Sequence, residues 1–140
     1  MRHRLALVAQ TTAAVIILLL GLEHLRYTFY GPQLHPRDPD LTARMMTVSP
    51  VITRETTIWR VWVGLNASLG LGLILFGALY GYLAVCQSAL LFRSFFLLTL
   101  GFTVLLGYAV VAKFYFFPAP FHGIVLATVL YVLGIVVKWA

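Results

Sequence analysis

"VWVGLNASLGLGLILFGALYGYLAVCQSALLF", residues 61–92, runs for 32 residues without a charged side chain. A helix crosses the hydrocarbon core of a bilayer with about 20 mostly apolar residues, at roughly 1.5 Å each. Three more uncharged runs accompany this one: 18 residues over 5–22, 19 over 94–112 and 24 over 114–137. Composition agrees with that reading, since 61% of the chain is hydrophobic and only 10% charged. Soluble domains sit near half apolar and a quarter charged. The expected fold is all-α: an antiparallel bundle of four transmembrane helices, at about 5–27, 53–85, 89–114 and 121–139. That is one membrane-embedded domain over residues 1–140, with no length left for a separate soluble one.

The basic start "MRHR" invites comparison with a signal peptide. The apolar stretch that follows is long, however, and ends in "LLLGLEHLRY" without a small-x-small cleavage pattern. It reads as an uncleaved first helix. The single cysteine, Cys86, excludes an internal disulfide and a cysteine metal cage. The net charge of +6 does not point to nucleic acid, because the basic residues are scattered at helix ends rather than gathered in a stripe. Arg2 and Arg4, with no acid near them in sequence, favour a cytoplasmic N-terminus and, with four crossings, a cytoplasmic C-terminus.

Between the first two crossings lies "GLEHLRYTFYGPQLHPRDPDL", residues 21–41, which holds three of the four acidic residues. Gly31 and Pro32 end the first helix, and the prolines of "HPRDPD" impose turns and extended chain. A short surface helix capped by Asp40 is expected next, ended by Pro50. In an up-down bundle this loop shares a membrane face with the start of the second helix, the end of the third and the start of the fourth. All four acids and three of the four histidines then converge there. The loop is expected to be structured, folded back over the bundle by ion pairs from Arg37 and Asp38 to Arg54 and Glu55 or to Glu23.

Helical spacing selects the inward residues. At about 100° per residue, Glu55, Trp59, Trp62 and Asn66 fall in one stripe, and Gln10, Gly21, His24 and Thr28 in another. Asn66 lies inside the apolar zone, where an amide needs a partner from a neighbouring helix. Glu23 is near the membrane, where acids are costly, and its nearest partner is Arg26 at i+3. Trp59 and Trp62 are by default interface-belt residues. Gly64, Ser68 and Gly72, then Gly77 and Gly81, give small-residue faces that suit close helix packing or an oligomer.

The words "LHPRDP" and "VSPVITRETTIWRVWVGLNAS" (Val48 to Ser68) resemble an uncharacterised family of small bacterial four-helix membrane proteins, over roughly the first two helices. The resemblance implies a four-helix fold and the bacterial inner membrane, and brings no activity with it. Members often carry a histidine after Asn-Ala-Ser, where this chain has Leu69.

The expected function is binding of a lipophilic small molecule, or of a partner membrane protein, at the polar face. Its residues would be Glu23, His24, Arg54, Glu55, Trp59, Trp62, Asn66 and His122, with His35, Arg37 and Asp38 from the loop. No metal or cofactor is expected, since His24, His35 and His122 lack zinc-site or haem-attachment spacing. The alternative is a membrane enzyme using Glu23 or Glu55 with His24 as acid and base on a lipid-like substrate. Ion transport ranks last, because no helix carries a charge near its middle.

Overall fold

A computed structural model describes residues 1–140. The chain is all-α, with helices α1 (Arg2–Phe29), α2 (Pro39–Thr47), α3 (Ile58–Cys86), α4 (Ser88–Arg93), α5 (Phe95–Tyr115) and α6 (Pro118–Trp139). Four of them, α1, α3, α5 and α6, are long and apolar enough to cross a membrane. Large apolar side chains such as Leu65, Leu75, Val110 and Leu126 point outward along them. Such helices suit a bilayer, because lipid solvates those side chains while the backbone bonds stay inside each helix.

The boundaries differ from the sequence expectation in three places, each for a local hydrogen-bonding reason. The second crossing begins at Ile58, not near residue 53. Thr53 accepts from the Glu55 amide at 3.2 Å, a turn, and Thr57 then caps α3 by accepting from the Arg60 amide at 3.4 Å. The expected third crossing, 89–114, is broken at Ser94. Its amide closes α4 on the Leu90 carbonyl at 3.1 Å, while its hydroxyl caps α5 through the Leu97 amide at 3.2 Å. The last helix starts earlier than its prolines suggested. Pro118 and Pro120 lie in its first turn, where a missing N–H costs no intrahelical bond.

The chain divides into two compact units, Met1–Leu20 with Leu73–Ala140, and Gly21–Gly72. In the first unit, segments of α1 and α3 pack with α4, α5 and α6. The α1–α6 pair is antiparallel: Ala6 and Gln10 lie against Gly134, and Leu20 against Gly123. Gly77 of α3 sits so close to α1 that a Cβ there would come within 2.7 Å of the Ala14 carbonyl and of Leu18. Small residues let helices approach like this in lipid. At the far end His3 Nδ1 meets Lys138 Nζ at 3.2 Å, so the start of α1 and the end of α6 lie side by side.

The core of this unit contains polar groups that are matched. Gln10 is buried and donates Nε2 to the Tyr131 carbonyl at 2.8 Å, so its stripe does point inward. Tyr80 donates to the Leu97 carbonyl at 2.7 Å, and Tyr131 to the Leu98 carbonyl at 3.1 Å. The two rings meet edge to face with centroids 5.9 Å apart. Each hydroxyl thereby meets an acceptor, as buried tyrosines require.

Candidate functional site

The second unit is built from the last turns of α1, the loop, α2 and the first turns of α3. The loop leaves α1 through Gly31, whose φ of +95° is left-handed backbone that glycine adopts without strain. A turn follows, in which the His35 amide donates to the Pro32 carbonyl at 3.0 Å. Asp38 then caps α2: its carboxylate accepts from the Asp40 amide at 2.9 Å and from the Leu41 amide at 3.4 Å, with Pro39 at the first helical position. The cap is Asp38 and not Asp40, because proline suits the first helical position and moves the start of the helix back. After α2, the Val48 carbonyl accepts from the Ile58 amide at 2.9 Å, which ties the returning chain to the start of α3.

Aromatic side chains hold the loop on α3. The Trp62 indole donates to the Leu34 carbonyl at 3.0 Å, and the His35 ring meets the Trp59 ring edge to face, centroids 4.7 Å apart. The expected ion pairs do not form. Arg37, Arg54 and Glu55 make no salt bridge, Asp38 is spent on its cap, and the one ion pair of the chain joins Glu23 to Arg26 at 2.8 Å on the exposed side of α1. The charges of the loop are exposed to solvent, where pairing is worth little and is bought with side-chain entropy. Arene contacts and a backbone bond replace them.

Thr28, Leu34, His35, Trp59, Trp62, Val63 and Asn66 enclose a depression too tight to hold a water molecule. Thr28 bonds back to the His24 carbonyl at 2.7 Å. Asn66 is only half-buried, and its amide donates to the Trp62 carbonyl one turn earlier at 2.9 Å; across to α1 its neighbour is His24, close enough to interact. Beside Asn66 lies His24, whose Nε2 is shut off from solvent without a hydrogen-bond partner. It is the sole buried side-chain nitrogen or oxygen of the chain left without one. Buried polar atoms are nearly always satisfied, so an orphan of this kind calls for an explanation.

The structure therefore brings His35, Trp59, Trp62 and Asn66 from the expected set to the depression, with His24 beside Asn66 but not in its lining. Glu23 faces away in its ion pair, and Arg54, Glu55 and Arg37 are exposed. His122 belongs to the first unit, at the start of α6. There, Ala112, Lys113, Phe116, Phe117, Pro118, Phe121 and His122 line an open depression of about 250 Å³; of these only His122 was among the expected site residues. Thr28, Leu34 and Val63 were also missed as lining residues; Thr28, which shares the His24 face, was the one with a signal. No group of three or more His, Cys, Asp or Glu side chains is placed to hold a metal ion. No family model, curated protein or solved structure matches the chain.

Proposed function

We propose that this protein binds a lipophilic small molecule in the second unit, between α1 and α3, beneath the cover formed by His35 and Trp59. The observation that carries the reading is the His24 Nε2, shut off from solvent with no well-formed hydrogen bond and with Asn66 as its polar neighbour. A ligand with one hydrogen-bonding group on an apolar body would satisfy that nitrogen, with Trp59, Trp62 and Val63 against the body. Sites for small apolar molecules have this composition, mostly apolar with a few placed polar groups. The depression has no free volume as it stands, so binding requires the Leu34–His35 segment to lift from the tryptophans. The bond and the ring contact that hold it are few enough for that opening to be cheap.

A Glu/His acid–base pair has less support, because no carboxylate lines the depression. The resemblance of the loop and the start of α3 to small bacterial four-helix proteins supports the bacterial inner membrane as the location. The test is extraction of the purified protein followed by mass spectrometry of the lipophilic fraction. The expected result is a defined small molecule retained by the wild type and depleted from His24→Phe and Asn66→Leu. Equal recovery from the wild type and both variants would remove the reading. A membrane-protein partner recovered in place of a small molecule would do the same.

A further inference from the structure

The depression at the junction of α5 and α6 lies in the other unit and is independent of that reading. Lys113 stands on the last turn of α5 and His122 just past the first turn of α6. Phe116, Phe117, Pro118 and Phe121 form the walls between them. Lys113 Nζ lies 5.2 Å from the centroid of the Phe121 ring, a cation–π contact that keeps the ammonium at the mouth. No carboxylate neutralises it, since the one ion pair of the chain is Glu23–Arg26. The whole first unit contains Arg2, Arg4, Arg93, Lys113 and Lys138 and not one Asp or Glu. Lys113 thus has no acidic partner within its own unit.

We infer that this depression holds the phosphate headgroup of an anionic membrane lipid. The site is at the ends of two helices long and apolar enough to span a membrane, the level at which headgroups lie. Its volume of about 250 Å³ is many times the roughly 10–15 Å³ that a single water requires. That is room for a phosphodiester and the first carbons of the glycerol. Lys113 supplies the charge, an imidazole N–H of His122 supplies a donor to a phosphate oxygen, and the phenylalanines meet the upper acyl chain. Basic pockets between transmembrane helices hold anionic headgroups by charge, and here the phenylalanine walls add apolar contact.

The experiment releases the full-length protein from nanodiscs of equal parts phosphatidylglycerol and phosphatidylcholine and counts bound lipids by native mass spectrometry. Phosphatidylglycerol is expected to be the retained species. Lys113→Gln should weaken its affinity about fivefold, the effect of one cation at a membrane surface, and lower its bound fraction accordingly, while Lys113→Arg keeps it. Arg93→Gln, in the same unit but outside the depression, should leave it unchanged. A parallel titration of the detergent-purified protein with inorganic phosphate at millimolar concentration should show no binding. Equal retention of both lipids, an equal loss in Arg93→Gln, or saturable binding of free phosphate would each overturn the inference.

Discussion

Trp62 and Leu34 are joined by one hydrogen bond, from the indole N–H to the backbone carbonyl, across 28 positions of sequence. That bond is the only hydrogen bond between the Gly31–Asp38 loop and α3, the companion of the His35–Trp59 ring contact. The cover over the His24–Asn66 region therefore rests on two aromatic side chains and on no charge.

Trp62→Phe keeps most of the ring and deletes the donor. An ordinary hydrogen bond contributes about 0.5–1.5 kcal/mol, so the loop should open more often without unfolding the helices. The His35 amide, which donates to the Pro32 carbonyl, reports on it. Its hydrogen exchange should quicken roughly fivefold, from a loss near 1 kcal/mol. An unchanged rate would mean that the loop is held by something other than this bond.

Gly77 and Gly64 make a matched pair of tests for helix packing. A methyl at Gly77 would press on the Ala14 carbonyl and Leu18, whereas nothing lies within 4 Å of one at Gly64. Overpacking of this kind costs about 1–3 kcal/mol. Gly77→Ala is expected to lower the unfolding temperature in detergent by several degrees, and Gly64→Ala to leave it unchanged or raise it. If the two variants melt alike, the close approach of α1 and α3 at Gly77 is wrong.

The helices were legible because a bilayer imposes one strong requirement, a long apolar run, and all four runs show it. Gln10 was legible too, since its place on the His24 stripe marks the inward face. What escaped is local hydrogen bonding. Ser94 looks like any tolerated serine in an apolar run, yet it ends one helix and caps the next. Tyr80 and Tyr131 carry no sign that their hydroxyls will meet carbonyls of α5. The ion-pair expectation for Arg37 and Asp38 treated the loop as charges in need of partners, when Asp38 had a nearer use in the backbone amides two and three residues ahead.

Gln10 separates a buried amide from a buried charge. Gln10→Leu removes one hydrogen bond to the Tyr131 carbonyl while keeping bulk, and should cost about 0.5–1.5 kcal/mol. Gln10→Glu offers that carbonyl an acceptor unless the carboxyl holds its proton. An ionised carboxylate so deep in the bundle is far more costly. Thermal unfolding in detergent should place Gln10→Glu well below Gln10→Leu at neutral pH, with the gap closing as pH falls. A pH-independent gap would show that water reaches the site.

Asp38 decides what orders the start of α2. That helix has nine residues and buries none of them, so packing contributes little, and a helix this short is marginal by itself. Its cap then matters in proportion. Replacing an N-cap aspartate by alanine costs about 0.5–2 kcal/mol, while asparagine is an equally good cap. Asp38→Ala should therefore speed exchange at the Thr42 and Val48 amides, which bond to the carbonyls of Asp38 and Arg44. Asp38→Asn should leave both close to wild type, because its side-chain carbonyl can accept from the Asp40 amide as the carboxylate does. The isosteric change also deletes the negative charge, so it removes any attraction to Arg37 or Arg54. If Asp38→Asn frays α2 as much as Asp38→Ala, the charge itself holds the loop, and the capping account fails.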